Sequence, residues 1–375
     1  MRIVYRASPW RSLVSHDGSL DTATLTAPLR DFHSNAGLFS PSLTDAYAAQ
    51  LSFVEVLVRF DLPAWRISEL ISEHNAWLYR QSIAMALDEM QAQGWGKPPV
   101  DYCVLALGSA ARFESLLGPD QDNALIIDDY PDARHVEIDG YFQALGERFT
   151  QRLDEAGIPL CRGHVMARWP MWRKRLSEWQ QQFEIWSADR QVKRVQQTNI
   201  WLDFYPVAGN AELAQTLGHR VRSTLSSAPL FMNEMATLLG ELPVALDRFN
   251  RIASHPALAA PYDQAVNLKH QALMPLISAA RLLCVRHQRS EIGTRERLAA
   301  LVHFTSALTK EQSELLLAAF NRLQALLLEQ QRHNKSYGQT ADGWVDLQRL
   351  RDDERLLLKF DLQQIKAFVN QVKRL

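Results

Sequence analysis

The chain has 375 residues, of which 47% are hydrophobic and 22% are charged, as is typical of a globular protein with two or three domains. Its formal net charge of −1 provides no basic field that would favour nonspecific binding to nucleic acids or membranes. Three scattered cysteines argue against a disulfide framework or a zinc site, and no signal peptide or membrane-spanning run stands out, so we predict a soluble cytoplasmic protein.

The first part of the chain is predicted to be an arm followed by helices. Residues 1–44 mix Ser, Pro and Gly without a period, which favours a loosely structured arm with a short strand at Arg2–Tyr5. A helical pattern follows, resumes after Pro63 and stops at the turn-forming stretch Gln93–Pro99. We therefore predict an N-terminal helical segment over residues 45–97.

Residues 98–210 are predicted to form a small α/β unit. Their apolar runs and breaks first indicate a strand at Tyr102–Leu107, a strand at Ala124–Ile127 and a helix that follows Pro131 and ends near Gly157. A strand or extended loop at Ile158–Ala167 comes next. It is followed by a helix with Trp172, Trp179 and Trp186 on one face and by a strand at Asn199–Val207. The tryptophan stripe favours helix packing over a base-stacking platform.

Residues 211–375 are predicted to form a helical bundle. Thr309 and Gln312 have the spacing of a capping box ahead of a long helix, and a final helix is predicted from about Trp344 to the C-terminus. The sequence therefore predicts a helical segment, a small α/β unit and a helical bundle, in that order.

Two aspartates lead into the second predicted strand. Side chains at i and i+2 of a strand point to the same side, so Asp120 and Asp122 would bring together two carboxylates that repel each other unless a cation lies between them. Oxygen ligands favour a hard divalent ion, and Mg²⁺ is the natural choice. The alternative is that the two aspartates merely cap a turn.

Asp203 is the predicted third acid of that site. It lies in the predicted strand Asn199–Val207, where a charge among bulky apolar residues is costly unless it is paired. A metal ion shared with Asp120 and Asp122 would supply that pairing. The alternative is an aspartate at a solvated edge of the sheet.

Candidates for binding phosphate lie beside these acids. Gly108 and Ser109 end the first strand in a turn whose N–H groups suit phosphate, although Gly-Ser also forms ordinary turns. Arg112 is a planar cation suited to phosphate, and its alternative is a surface arginine that pairs with Glu114 or with solvent. Lys269 begins a long apolar helix and is predicted to reach the nucleotide from the helical half.

Other types of site find no support in the sequence. An EF-hand loop fails because Ala124 and Leu125 stand where an oxygen ligand and a glycine are required. No GxSxG, Walker A or GxGxxG motif occurs. The strand, the Gly-Ser turn and the paired acids together have the layout of a nucleotidyl-transfer site.

The block GSAARFESLLGPDQDNALI resembles the signature of a nucleotidyltransferase domain family that is often fused to CBS and cyclic-nucleotide-binding modules. That family is similar to the N-terminal catalytic part of the bacterial PII-protein uridylyltransferase, within the DNA polymerase β-like nucleotidyltransferase superfamily. The resemblance extends to CRGHVMARWPMWRKRLSEW, to NIWLDFYPVAGN and to AVNLKHQALMPLISAARLL, which looks like the start of that family's substrate-binding domain. It covers roughly Asp45 to Leu375. Ala111 departs from the family, which usually has a glycine there.

The resemblance implies an α+β fold in which a small mixed-sheet, polymerase β-like domain is flanked by an N-terminal helical segment and a C-terminal helical bundle. It implies that Gly108 and Ser109 hold the triphosphate. Asp120, Asp122 and Asp203 would be both the catalytic residues and the metal ligands.

It also implies Mg²⁺-dependent transfer of a nucleoside monophosphate from an NTP to an acceptor hydroxyl, with a second ion at a two-ion site and Mn²⁺ as a substitute. The acceptor would be a regulatory protein, as in PII uridylylation, or a small molecule. Residues 1–44 are too short for a CBS or cyclic-nucleotide domain, so the chain is expected either to act without the usual sensor or to have its sensor on a separate protein. The alternatives are a non-catalytic nucleotide sensor in signal transduction and a scaffold with a vestigial nucleotide site.

Overall fold

The fold is described from a computed structural model, which covers residues 42–188, 200–254, 262, 264–304, 306 and 308–374. The predicted strand at Arg2–Tyr5 lies outside these residues. The helices and strands are α1 (Leu43–Arg59), α2 (Ala64–Ala92), β1 (Tyr102–Leu107), α3 (Gly108–Ala111), β2 (Asn123–Ile127), α4 (His135–Ala156), β3 (Arg173–Arg175), α5 (Leu176–Ala188), β4 (Phe204–Gly209), α6 (Ala211–Ser226), α7 (Pro229–Leu238), β5 (Ala265–Asn267), α8 (Met274–Arg286), α9 (Thr294–Leu301), α10 (Lys310–Ser336), β6 (Trp344–Asp346) and α11 (Asp352–Val372).

The N-terminal helices begin and end at the residues that local chemistry favours. The side chain of Ser42 accepts a hydrogen bond from the backbone N–H of Asp45 and so caps α1. Pro63 precedes α2 with the fixed φ that suits the start of a helix. Gly94, with φ +87°, follows the end of α2.

The four strands β1 to β4 form one mixed sheet in the order β3-β2-β1-β4. Strand β1 pairs antiparallel with β2 and β4, whereas β2 pairs parallel with β3. Val104 and Ala106 face a core with α2 and α4, while Cys103 and Leu105 face a second core with α5 and the C-terminal helices. Because both faces are buried, β1 reads as a continuous apolar run. The α+β fold class with a small mixed sheet is confirmed.

The tryptophan stripe does not lie on one helix, so that prediction was wrong. Trp172 ends a 3₁₀ turn that starts at Pro170, and β3 then separates it from α5, which carries Trp179 and Trp186. Residues of β3 pair with β2 instead of continuing a helix. All three indoles are buried, consistent with packing.

The predicted strand Asn199–Val207 begins too early. Ile200 and Trp201 are helical, and the strand starts at Phe204. The Trp201 ring lies 3.9 Å from the Trp179 ring, centroid to centroid, and stacks on Trp172 at 5.8 Å. This aromatic packing holds Trp201 in the core beneath the sheet, and Asp203 lies in the bend before β4.

The C-terminal half is mainly helical, as predicted, but it also contains a two-stranded sheet. Strand β5 pairs antiparallel with β6, with Ala265 opposite Asp346, so the final helix begins at Asp352 and not near Trp344. The predicted capping box at Thr309 opens α10. In the part of the chain that the structure describes, each helix is too short or too polar to cross a membrane.

Candidate functional site

Asp120 and Asp122 lie in an extended loop that leads into β2. Gln121 between them is buried, and its side-chain amide donates hydrogen bonds to the carbonyl oxygens of Thr150 (2.8 Å) and Ile158 (2.9 Å). Because alternate side chains of an extended chain point in opposite directions, this inward anchor turns both aspartates outward on the same side. The structure therefore brings the two predicted acids together.

A thiol joins the two carboxylates. One oxygen of Asp120, one oxygen of Asp122 and the Sγ atom of Cys161 all lie within 4.8 Å of one another. Asp120 is exposed, Asp122 is partly buried and Cys161 is buried. Sequence reasoning did not assign Cys161 to the site, although the segment that contains it carried part of the family resemblance.

The environment of Asp122 disfavours its charged form. Burial, together with the neighbouring charge of Asp120, raises the pKa of the Asp122 carboxyl group to about 6. A hydrogen bond from the Cys161 thiol and the positive charges of Lys269 and Arg112 oppose this rise. Burial and the charge of Asp120 together thus outweigh the hydrogen bond and the positive charges that favour the ionised form of Asp122.

The Gly-Ser turn lies directly against this acid pair. Gly108 has φ +58°, in the left-handed region that favours glycine, and a Cβ atom built on it would lie 3.4 Å from Oδ2 of Asp122. The N–H of Leu107 donates to the carbonyl oxygen of Asp122 at 2.9 Å, which fixes the two segments side by side. Ser109 follows at a partly exposed position.

Ala111, the departure from the family pattern, fits this turn without strain. It is the last residue of the single helical turn α3 and is buried. Its φ is not positive, so the backbone at this position does not require a glycine.

Asp203 has a different environment from the acid pair. It is fully buried, so the alternative of a solvated sheet edge is wrong. Its Oδ2 atom accepts hydrogen bonds from Arg112 Nη1 and Arg281 Nη2, each at 2.6 Å, and its Oδ1 atom accepts one from Arg297 Nη2 at 2.6 Å. Although burial opposes ionisation, Arg281, Arg297 and Arg112 hold the pKa of Asp203 well below its usual range.

This arrangement gives no support to Asp203 as a third metal ligand. Both of its oxygens accept from guanidinium groups, and the side chains close enough to Asp120 and Asp122 to share a metal ion with them include Cys161 and not Asp203. Arg281 and Arg297, which sequence reasoning missed, come from the C-terminal half. A charged residue inside the apolar run of α8 was the available signal for Arg281.

Arg112 lies between the turn and the C-terminal half. Its Nε donates to Oε2 of Glu114 at 2.7 Å, so the predicted pairing with Glu114 is present, but the pair is buried and not at the surface. Oε1 of Glu114 accepts from the backbone N–H of Thr294 at 2.7 Å. The residues after the turn are therefore connected to α9.

Lys269 belongs to a π-helical turn, Lys269–Leu273, that precedes α8. Its side chain is exposed, and its positive charge favours the ionised form of Asp122. The positive charge of Lys269, which comes from the C-terminal half, therefore acts on Asp122, whereas its predicted contact with the nucleotide stays a prediction.

A separate cavity of about 470 Å³ lies between α2, α10 and α11. Its walls include Ile67 and Leu328, and none of the predicted site residues lines it. Arg322 in its wall pairs with Asp361. The cavity therefore has no connection with the site built from Asp120, Asp122 and the turn.

Comparison with known families agrees with these features. A family profile described as "Putative nucleotidyltransferase DUF294" matches residues 49–193, and one described as "Putative nucleotidyltransferase substrate binding domain" matches residues 229–375. A comparison with curated proteins gave no match. The two matched regions contain the acid pair with its Gly-Ser turn and the helices that supply Lys269, Arg281 and Arg297. The chain therefore belongs to this nucleotidyltransferase family, with a nucleotidyltransferase domain followed by a substrate-binding domain.

Proposed function

We propose that this protein transfers a nucleoside monophosphate from an NTP to an acceptor hydroxyl group and releases pyrophosphate. The observation that carries the proposal is the contact between the acid pair and the turn, in which Oδ2 of Asp122 lies against Gly108. A phosphate chain held at the turn would then lie beside a bound cation. This juxtaposition is the minimum that nucleotidyl transfer requires.

The donor set suits a divalent cation. Two carboxylates lie within ligand distance of a common point, and the raised pKa of Asp122 indicates that their charges are incompletely compensated. Asp120 and Asp122 would hold Mg²⁺, or Mn²⁺ in its place. The ion would supply charge neutralisation for the triphosphate and the leaving pyrophosphate.

The turn and a lysine would position the phosphates. The left-handed backbone at Gly108 leaves the space beside Asp122 free of a side chain, and Ser109 is accessible at the next position. Lys269 is exposed near Asp122 and would attract the anionic nucleotide. In the transfer step, the acceptor oxygen forms a bond to the α-phosphorus, the bond from that phosphorus to the bridging oxygen breaks, and the hydroxyl proton passes to solvent.

The acceptor would be a regulatory protein or a small molecule that the C-terminal half binds. This part of the proposal rests on the family, whose C-terminal domain is described as substrate binding. A hydroxyl on a protein side chain, as in PII uridylylation, is the form that the resemblance favours. A separate sensor protein would then report the signal that controls transfer.

A second candidate is a nucleotide sensor that binds NTP without transferring it. The observation that favours it is the burial of Asp203 among three arginines, which leaves two carboxylates, not three, for metal. Such a protein would bind Mg-NTP and release no pyrophosphate.

The test is incubation of the full chain with each of the four α-labelled NTPs, Mg²⁺ and cell lysate. We expect label on a protein or small molecule, together with release of pyrophosphate. The variants Asp120→Asn and Asp122→Asn should lose both, because each keeps the shape of the side chain and removes its charge. Asp88→Asn, at an exposed position of α2, is the matched control and should retain transfer.

Three outcomes decide between the candidates. Turnover by either Asp120→Asn or Asp122→Asn would refute the assignment of the acid pair. Saturable Mg-NTP binding without pyrophosphate release would favour the sensor. A melting temperature that no Mg-NTP changes would exclude both and leave a scaffold with a vestigial site.

A further inference from the structure

A buried cluster of charged side chains connects the Gly-Ser turn to the C-terminal half. It consists of Arg112, Arg281 and Arg297 with the carboxylates of Asp203 and Glu114. The arginines are 9%, 8% and 3% exposed, respectively, and Asp203 is fully buried. Three cations thus surround two anions in a region with little water.

The cluster has more positive charge and more donors than its own acceptors satisfy. Three guanidinium groups and two carboxylates leave one formal positive charge. Nη1 of Arg297 is buried and has no hydrogen-bond partner among the described residues. Burying an uncompensated cation and an unsatisfied donor is costly, which points to an anion that completes the cluster.

Glu291 lies outside the cluster, and although burial opposes its ionisation, its hydrogen bond with Arg289 and the positive charges of Arg289 and Arg297 lower the pKa of its carboxyl group. Nε of Arg297 donates to the backbone carbonyl of Glu291, not to its side chain. The Glu291 carboxylate accepts instead from Arg289, at 2.5 Å. The pKa of Arg281 is lowered by burial and by its like-charged neighbours Arg112 and Arg297, against the opposing charge of Asp203.

The cluster borders the proposed phosphate site. The N–H of Gly108, in the turn, donates to the backbone carbonyl of Asp203 at 3.0 Å. Arg112 also lies close enough to favour ionisation of Asp122. The side chains of Arg112 and Arg281 each retain about a tenth of their exposure.

We infer that Arg281 and Arg297, together with Arg112, form a polyphosphate subsite whose counter-ion in the ligand-free protein is Asp203. The inference rests on the proposed function and extends it, because it assigns residues of the C-terminal half to the phosphates of the nucleotide. Guanidinium groups bind phosphate oxygens in a bidentate manner, as they bind carboxylates. Asp203 is then an internal competitor of the ligand, in addition to any role that it has in stability.

The test is titration of the full chain with inorganic pyrophosphate in the absence of divalent metal, measured by calorimetry. We expect Arg281→Met to weaken binding by roughly tenfold or more, because it removes charge-assisted hydrogen bonds. Arg286→Met is the matched control on the same helix, at an exposed position, and should bind as the wild type does. Asp203→Asn should bind pyrophosphate more tightly than the wild type, because the internal competitor is weakened.

A purely structural role of Asp203 predicts the opposite result for that variant. Equal or weaker pyrophosphate binding by Asp203→Asn, or unchanged binding by Arg281→Met, would overturn the inference. If either variant does not fold, Arg281→Lys decides, since it keeps the charge but loses the bidentate geometry. Wild-type affinity in Arg281→Lys then overturns the inference, and loss supports it.

Two further arms identify the ligand and separate the two proposals. Orthophosphate and metal-free NTP are titrated in parallel, and binding of orthophosphate as tight as that of pyrophosphate would overturn a polyphosphate subsite. The metal-free titration does not use Asp120 or Asp122 as metal ligands. If the protein transfers no nucleotide but still binds pyrophosphate in a manner that depends on the arginines, the proposed function is refuted and the polyphosphate subsite is not.

Discussion

Replacement of Asp122 by asparagine is expected to stabilise the metal-free protein at neutral pH. Burial and the adjacent charge of Asp120 raise the pKa of Asp122 from 3.8 to about 6, so its ionised form is disfavoured in the folded state. Asparagine has nearly the same shape and carries no charge. The variant therefore removes the free-energy cost of holding a charge in this partly buried position.

The size of the effect follows from the pKa. A rise from 3.8 to about 6 corresponds to about 3 kcal/mol at about 1.4 kcal/mol per pH unit. Because the Asp122 carboxylate is partly solvated, we expect about 2 kcal/mol.

The pH dependence has a definite sign. Below about pH 4 the carboxyl group of Asp122 is protonated in both the folded and the unfolded protein, so the charge of Asp122 makes no difference to the free energy of unfolding of the wild type and the variant. Between about pH 4 and pH 6 the unfolded chain releases the proton before the folded protein does, so the wild type loses stability relative to the variant. Above about pH 6 the difference in the free energy of unfolding between the wild type and Asp122→Asn no longer changes with pH.

The measurement is urea unfolding of the wild type, Asp122→Asn and the exposed control Asp88→Asn at several pH values in the presence of a chelator. Asp88→Asn should differ little from the wild type at any pH. Added Mg²⁺ should stabilise the wild type at pH 7.5 and leave Asp122→Asn unchanged. An Asp122→Asn variant no more stable than the wild type at pH 7.5 would refute the reasoning about the site.

Three further predictions concern stability and are checked by the same unfolding measurement. Gly209→Ala should lower the free energy of unfolding by at least about 3 kcal/mol, because the backbone has φ +87° and the new Cβ would lie 2.1 Å from the carbonyl oxygen of Tyr102. A decrease of less than about 1 kcal/mol would contradict this prediction. Gly140→Ala is its control, since Gly140 lies in the second turn of α4, where a Cβ would meet nothing within 4 Å, and it should raise the free energy of unfolding by up to about 1 kcal/mol. Thr309→Ala removes the cap that accepts from Gln312 and should cost about 1 kcal/mol, whereas Thr309→Ser should cost little.

Much of the fold could be predicted because local patterns determine it. The helices α1 and α2, the strands β1 and β2 and the capping box at Thr309 all follow from apolar spacing and end signals. The errors arose where distant contacts overrode a local pattern. Trp172 has helical spacing with the tryptophans of α5 but precedes β3, and Trp344 was assigned to a helix but pairs with β5.

For the site, the sequence predicted correctly which residues are brought together when they are close in the chain. Asp120 and Asp122 converge because the buried Gln121 fixes their direction, and Gly108 meets Asp122 because β1 and β2 are adjacent strands. Cys161 was not predicted, since its approach depends on the path of the loop after α4.

By itself the sequence determined the acid pair, the Gly-Ser turn and the elements α1, α2, β1 and β2, because each depends on spacing over a few residues. The tertiary structure alone decided the partners of Asp203. Its three arginines are 91, 78 and 94 residues away in the chain, and two of them come from helices of the C-terminal half. Chain spacing carries no information about such pairs, since they form only when the sheet and those helices bury a common core.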